Sequence, residues 1–257
     1  MKYTIAIILA TLLVGCGESS SSDSSSGGGG SGKGGSMARF AIAGDYLYTL
    51  NNREIAKFYI GNPASPRPES KTRNVNFDVE TLFSHGNYLY VGAMTGMYIY
   101  DADLEFISSF THIKSCDPVV VQDGLAFVTL DASSSCQQSA GKNALQVLDV
   151  NDTRNIRKIY EDTTMWGPKG LGIDGDKLFV CDDRAGLKVY NVQKIDANET
   201  AGTKVDVNIT LMDTNTIGDV NCYDVIPYKY NLIVSDGDRV RQFDYSKFPM
   251  EEWGEIK

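Results

Sequence analysis

One phrase recurs five times along this chain: an apolar strand, a turn of Gly, Asp or Asn, an aromatic-rich strand, a polar loop and a third strand. Aligned on the leucine after the turn, the copies are AIAGDYLYTL at Leu47, FSHGNYLYVG at Leu89, VVVQDGLAFVTL at Leu125, GIDGDKLFVCD at Leu178 and VIPYKYNLIVSD at Leu232, offset by 42, 36, 53 and 54 residues. The third strands are EIAKFYI, GMYIYD, ALQVLDV, GLKVYNV and RVRQFDY, in which apolar and polar residues alternate as in a strand with one packed and one wetter face. Fourth strands follow as ESKTRNV, EFISSF, IRKIYED, a longer one around VDVNITLMD, and EEWGEIK. No amphipathic helix competes with them. Five repeats of four strands at roughly 45-residue spacing predict an all-β fold, a β-propeller of five four-stranded blades. The first blade begins almost at the end of a polar tract and the fifth ends at the C-terminus. The ring is therefore expected to close by side-chain packing between blades 1 and 5, with no strand exchanged.

The first sixteen residues, MKYTIAIILATLLVGC, have one basic residue at Lys2, an apolar run from Ile5 to Val14, and a glycine before Cys16. That is the pattern of an export signal. The run is about ten residues, too short for a hydrocarbon core that needs roughly 20. Leu13-Val14-Gly15-Cys16 resembles the bacterial lipobox, which implies cleavage after residue 15 and lipidation of Cys16. Acyl chains would then hold the protein on a membrane without a spanning segment. Residues 16–36 are read as the lipidated cysteine and a Ser/Gly-rich flexible tether, since the stretch has no large apolar side chain to bury. Its reach is about 25 Å. Residues 37–257 are read as the folded domain. Gly17 stands where some enteric bacteria place the aspartate that retains lipoproteins at the inner membrane, so an extracytoplasmic position, on the outer membrane of a Gram-negative cell, is expected.

The segments CDPVVVQDGLAFVTL (116–130), ALQVLDV (144–150), GPKGLGIDGDKLFVCDD (167–183) and GLKVYNV (186–192) resemble the bacterial LVIVD-repeat proteins, named for the third-strand motif seen here as LQVLDV and LKVYNV. The resemblance covers most of residues 38–246, and GNPASP (61–66) is similar to that family's Asn-Pro-x-x-Pro turn. It implies a propeller on an exported or surface-attached protein, and no particular activity. Where many members carry Pro-His-Gly, this chain has Pro168-Lys169-Gly170, so no role for that histidine carries over.

In a propeller the inner strands all begin on one face, where the loops between second and third strands also emerge. Loops on a rigid scaffold usually carry binding function. Arg39, Thr81, Asp117, Gly170 and Asp224 occupy equivalent starts of the inner strands; His112, Trp166 and Lys169 lie close by, with Tyr223, and Asp182 and Asp183 on a neighbouring loop. Asp117 and Asp224 lead as ligand contacts; the bland alternative is that they accept backbone N–H bonds and hold the inner strand's first residues. Asp174-Gly175-Asp176 and Asp236-Gly237-Asp238 offer close carboxylates, but Asp-Gly is also the usual hairpin turn, so no metal is expected, nor any cofactor. There are two histidines, His85 and His112, and no G-x-S-x-G or H-E-x-x-H motif. The functional expectation is a non-enzymatic binding module, monomeric, with a protein or glycan partner. The alternatives are a carbohydrate-active enzyme using carboxylates at the channel mouth, or a passive envelope protein. A net charge of -9 argues against a nucleic-acid partner.

With Cys16 given to lipid, Cys116, Cys136, Cys181 and Cys222 remain, an even number outside the cytoplasm. The topology brings Cys116 and Cys136 to one face, where a bridge closing 20 residues would give about 3 kcal/mol. A second bridge between Cys181 and Cys222 is open, the alternative being two buried thiols.

Overall fold

A computed structural model describes residues 35–51, 53–75, 79–111, 118–132, 142–196, 204–213, 217 and 220–257. The export signal, Cys16 and the tether through residue 34 lie outside the described residues, as do His112, Cys116, Asp117 and Cys136.

The expected architecture is present. Blade 1 is β1 (Phe40–Ala43), β2 (Tyr46–Asn51), β3 (Glu54–Tyr59) and β4 (Arg67–Asn74). Blade 2 is β5 (Val79–His85), β6 (Tyr88–Ala93), β7 (Gly96–Asp101) and β8 (Phe106–Thr111). Blade 3 is β9 (Val119–Gln122), β10 (Leu125–Leu130), β11 (Ala144–Asp149) and β12 (Arg157–Asp162). Blade 4 is β13 (Leu171–Asp174), β14 (Lys177–Cys181), β15 (Leu187–Ile195) and β16 (Asp206–Asp213), and blade 5 is β17 (Cys222–Tyr228), β18 (Asn231–Asp236), β19 (Arg239–Asp244) and β20 (Glu251–Ile256). Each blade is an antiparallel sheet whose strands pair in chain order, so none is exchanged between the termini. We call the face where β1, β5, β9, β13 and β17 begin the upper face, and the opposite one the lower face.

The inner hairpins turn tightly because their central residues take positive φ, as Gly44 at 57° and Gly175 at 58° do; two-residue hairpin turns favour such geometry. Blade 5 departs from this: Lys229 and Tyr230, at φ 50° and 64°, make the same turn without a glycine.

Packing between blades follows from strand alternation. In β10 every residue is buried, because Leu125 and Phe127 face blade 4 while Ala126, Val128 and Leu130 face blade 2. Four apolar clusters result. Tyr48 and Ile55 meet Leu82 and Leu89 between blades 1 and 2. Met97 and Ile99 meet Val128 and Leu148 between blades 2 and 3. Leu145 and Val147 meet Leu178 and Val180 between blades 3 and 4, and Phe179 and Val189 meet Leu232 and Phe243 between blades 4 and 5. A polar bolt reinforces the first seam: Tyr48 Oη and Lys57 Nζ both donate to the Ala102 carbonyl at 2.8 Å, and Lys57 pairs with Asp103 at 3.1 Å.

The side-chain packing expected between blades 5 and 1 is not an apolar cluster. Among the described residues no cluster spans that seam. In β2 and β18 burial alternates, and on the face of blade 5 turned from Phe243, the paired Val240 and Ile256 are exposed. The ring is instead drawn together by chain the sequence reading assigned to the tether. Gly35 and Ser36 are buried, so the ordered domain begins before Met37. The Ser36 hydroxyl donates to Asp224 Oδ1 at 3.0 Å and accepts the Leu171 N–H at 2.8 Å, and the Ala38 carbonyl accepts the Leu82 N–H at 2.8 Å. One short segment thus links blades 5, 4, 1 and 2 across the upper end of the axis. A serine side chain makes the tie, because a hydroxyl can both donate and accept.

Candidate functional site

The best-built part of the upper face is the seam of blades 4 and 5. Cys181 ends β14 and Cys222 begins β17; they form a disulfide with Cα atoms 5.0 Å apart. This is the pairing that the sequence left open against two buried thiols. Backbone bonds extend the staple: the Gly170 N–H donates to the Tyr223 carbonyl at 3.0 Å and the Lys169 N–H to the Cys181 carbonyl at 2.8 Å. Gly170 is required by proximity, since a Cβ there would lie 2.1 Å from Asp224 Oδ1.

Asp182 and Asp183 diverge just past the end of β14, where Asp183 takes a left-handed φ of 46°. Asp182 is fully buried. Its Oδ1 accepts the N–H groups of Trp166 and Gly167, each at 2.8 Å, and its Oδ2 lies 2.7 Å from the buried Lys188 ammonium. It therefore holds the 165–168 loop from below and meets no solvent. Asp183 turns outward to Lys169, 3.0 Å away. The Lys169 ammonium also sits 4.7 Å from the Tyr223 ring centroid, within cation–π range. Trp166 and Tyr223 remain 64% and 50% exposed. The side-chain amide of Asn143, fixed by the Ala132 N–H at 2.8 Å, donates to the Trp166 carbonyl. The seam thus presents two open aromatic rings, a cation and a carboxylate, with the backbone at Trp166 and Gly167 tied by Asp182 and Asn143.

Asp224 faces inward. Its Oδ1 accepts the Ser36 hydroxyl and the Val225 N–H, each at 3.0 Å, and its Oδ2 accepts the Met37 N–H at 3.5 Å. Burial pushes its carboxyl up to about 6, against the lowering effect of these bonds. Its bonds are those of the bland alternative: it accepts from the chain and holds the start of β17.

Of the sequence candidates, the structure brings together Trp166, Lys169, Asp182 and Asp224 around one seam, while Arg39 is exposed at the head of β1 on another blade. The Asp-Gly carboxylates are engaged in the fold: Asp174 accepts the Tyr245 hydroxyl at 2.5 Å, and Asp236 pairs with Arg239 at 2.9 Å and Arg241 at 3.5 Å. Sequence reasoning missed Ser36, Asn143 and Lys188. Only Lys188 carried a signal: a lysine inside LKVYNV, in a blade packed on both sides, must find a carboxylate.

No family model matches the chain, and no curated protein does, so the likeness to LVIVD-repeat proteins rests on the quoted motifs. Solved structures do match. The apo form of AztD from Citrobacter koseri superposes with a TM-score of 0.58 at 13% identity, over 81% of this chain and 59% of that one. A hypothetical selenium-binding protein from Sulfolobus tokodaii gives 0.60 at 13%, over 83% and 59%. A luciferin-regenerating enzyme gives 0.51 at 12%, over 83% and 72%. The chain thus spans about three-fifths of the length of the first two. At these identities the likeness shows the propeller fold, and proteins of varied function share it.

Proposed function

We propose that this chain is a lipid-anchored, extracytoplasmic recognition module that binds an envelope glycan or protein through the blade 4–5 seam of its upper face. The observation that carries the reading is Trp166: the ring is 64% exposed while the N–H groups of its own residue and the next are fixed by a fully buried aspartate. An aromatic held open on a rigid loop loses little entropy when a partner covers it, and such rings dominate interface energetics. Lys169, Asp183 and the Tyr223 hydroxyl add the polar groups that would orient a sugar or a side chain. The Cys181–Cys222 disulfide supports an oxidising compartment, in keeping with the lipobox-like LVGC.

The chain has two tryptophans, so Trp253→Phe leaves Trp166 as the sole reporter. In the mature chain carrying Cys16→Ser, titration with peptidoglycan fragments and envelope oligosaccharides should shift Trp166 emission saturably. Trp166→Ala and Tyr223→Ala should each weaken binding tenfold or more in calorimetry. Binding that is unchanged in both variants would reject the seam as the site. Radiolabelled palmitate should enter the wild-type protein and be absent from Cys16→Ser; equal labelling would reject the anchor.

A further inference from the structure

The five inner strands surround an axial cavity of about 200 Å³. Its wall is apolar, with Phe83, Val120, Val121, Ile173, Ile226 and Pro227 contributing from four blades. Gly35 forms part of the wall at the upper end, where Ser36 and Met37 are tied to Asp224, so the chain's own backbone lies across that opening. Among the described residues, no Asp, Glu, Lys or Arg lines the cavity. Its polar side chains are Ser84, whose hydroxyl is spent on the Ile42 carbonyl at 2.9 Å, and His85 and Gln122 at the lower end. Burial holds the His85 imidazole below its usual pKa, leaving a neutral ring with one donor and one acceptor. Gln122 gives its amide nitrogen to the Gly175 carbonyl at 2.7 Å, which leaves its carbonyl oxygen to accept.

The lower rim carries a second, independent mark. Directly after Pro227, Tyr228 is exposed, and the next two residues, Lys229 and Tyr230, both hold positive φ. Blade 1 and blade 4 make the equivalent turn with glycine. Side chains kept in a conformation that glycine would adopt more cheaply concentrate where function needs them.

We propose that the axial cavity is a binding site for a small neutral, mainly apolar molecule, a single aromatic ring or short aliphatic chain, with one hydrogen-bonding head group at His85 and Gln122. The ligand enters from the lower face, with Tyr228 beside the mouth. The size fits: an apolar cavity of about 150 Å³ accepts benzene. The chemistry selects against ions, because a charge placed on this wall meets no counter-charge among the described residues to offset its lost hydration. The site is separate from the upper-face seam, so either can fail alone.

The test is thermal unfolding of the mature chain carrying Cys16→Ser, with p-cresol and n-hexanol as neutral probes and hexanoate and hexylamine as charged controls. Binding to the folded state alone makes stability rise with the logarithm of ligand concentration above Kd. The midpoint should rise in this way with both neutral probes and not with the charged ones. Val121→Phe and Ile226→Phe, which fill the cavity, should raise the apparent Kd at least tenfold. His85→Ala with Gln122→Ala, on the rim and without added bulk, should weaken p-cresol binding several-fold, which keeps the test decisive if a filled variant does not fold. Neutral probes that leave the midpoint unchanged or lower it, or variants that respond as the parent does, would overturn the proposal. In a crystal under xenon, density on the axis would support it, and a file of ordered water in its place would overturn it.

Discussion

Replacing Asp224 with Asn should make the domain more stable at neutral pH and leave it unchanged in acid. The side chain keeps its shape, and its oxygen still accepts the Ser36 hydroxyl and the Val225 N–H; the 3.5 Å contact to the Met37 N–H is lost, and the Ser36 backbone N–H, which also bonds the carboxylate, is left to the remaining oxygen. What changes is the charge. Burial raises the Asp224 carboxyl from 3.8 to about 6, so the folded state binds its proton more tightly than the unfolded chain does. Below about pH 4 the carboxyl is protonated in both states and adds no penalty. Between pH 4 and 6 the unfolded chain releases the proton first, and stability falls as pH rises. Above pH 6 the full cost is present, which at about 1.4 kcal/mol per pH unit comes to about 3 kcal/mol. The assay is urea unfolding of the mature Cys16→Ser chain, with and without Asp224→Asn, at half-unit steps from pH 4 to 8. The stability difference between the two proteins should be near zero at pH 4, grow through pH 5 and 6, and level off at up to about 3 kcal/mol in favour of Asn. Taking the difference cancels every group common to both proteins, His85 included. A flat difference, or a parent that gains on Asn as pH rises, would refute the argument and show that the hydrogen bonds to the carboxylate outweigh burial.

Ser36→Ala should cost about 1–3 kcal/mol, because it leaves the Leu171 N–H without its acceptor and Asp224 without one donor; urea unfolding at pH 7 reads it directly. Lys188→Met leaves a fully buried carboxylate at Asp182 uncompensated and should cost about 3–5 kcal/mol. The emission anisotropy of Trp166 in a Trp253→Phe background should fall with it, since Asp182 holds that loop. Cys181→Ser with Cys222→Ser removes a crosslink spanning 41 residues and should lower stability by about 4 kcal/mol on the chain-entropy account, seen as a lower urea midpoint under non-reducing conditions. Lys229→Asn with Tyr230→Gly should add about 1 kcal/mol by relieving two positive-φ side chains; a loss in the thermal midpoint would show that Tyr230, packed 5.7 Å from the Tyr245 ring, contributes more than its backbone costs.

The propeller was legible because each blade repeats the same local solution: alternating strands with a Gly, Asp or Asn turn at a fixed distance from a leucine. Even the weak fourth strands, such as ESKTRNV and EEWGEIK, pair where the pattern places them. The ring's closure was not legible, because it depends on whether two blades far apart in sequence meet. The difference between seams is nonetheless written in the second strands. LAFVTL has no polar residue but Thr129, and both its faces are packed, whereas YLYTLN alternates and is packed on one. The cysteines divide similarly. Cys116 and Cys136 were favoured because they lie near in sequence and belong to one blade. The Cys181–Cys222 bond required two blades to meet edge to edge, which only the ring provides.

The site divides by what each residue type reveals on its own. Trp166, Lys169 and Asp182 stand out because aligning the five copies places them beside the inner-strand starts on one face. Sequence named them together and could not tell which would face solvent; burial decides that, placing Asp182 beneath the loop and Trp166 above it. Ser36 had no such signal, standing at the end of a tract made almost wholly of serine and glycine. Its role arises from position alone, because the turn of chain leading into β1 passes over the one end of the axis where Asp224 and the Leu171 N–H both need a partner. The segment that leads into β1 is therefore also the segment that holds blade 5 toward blade 1.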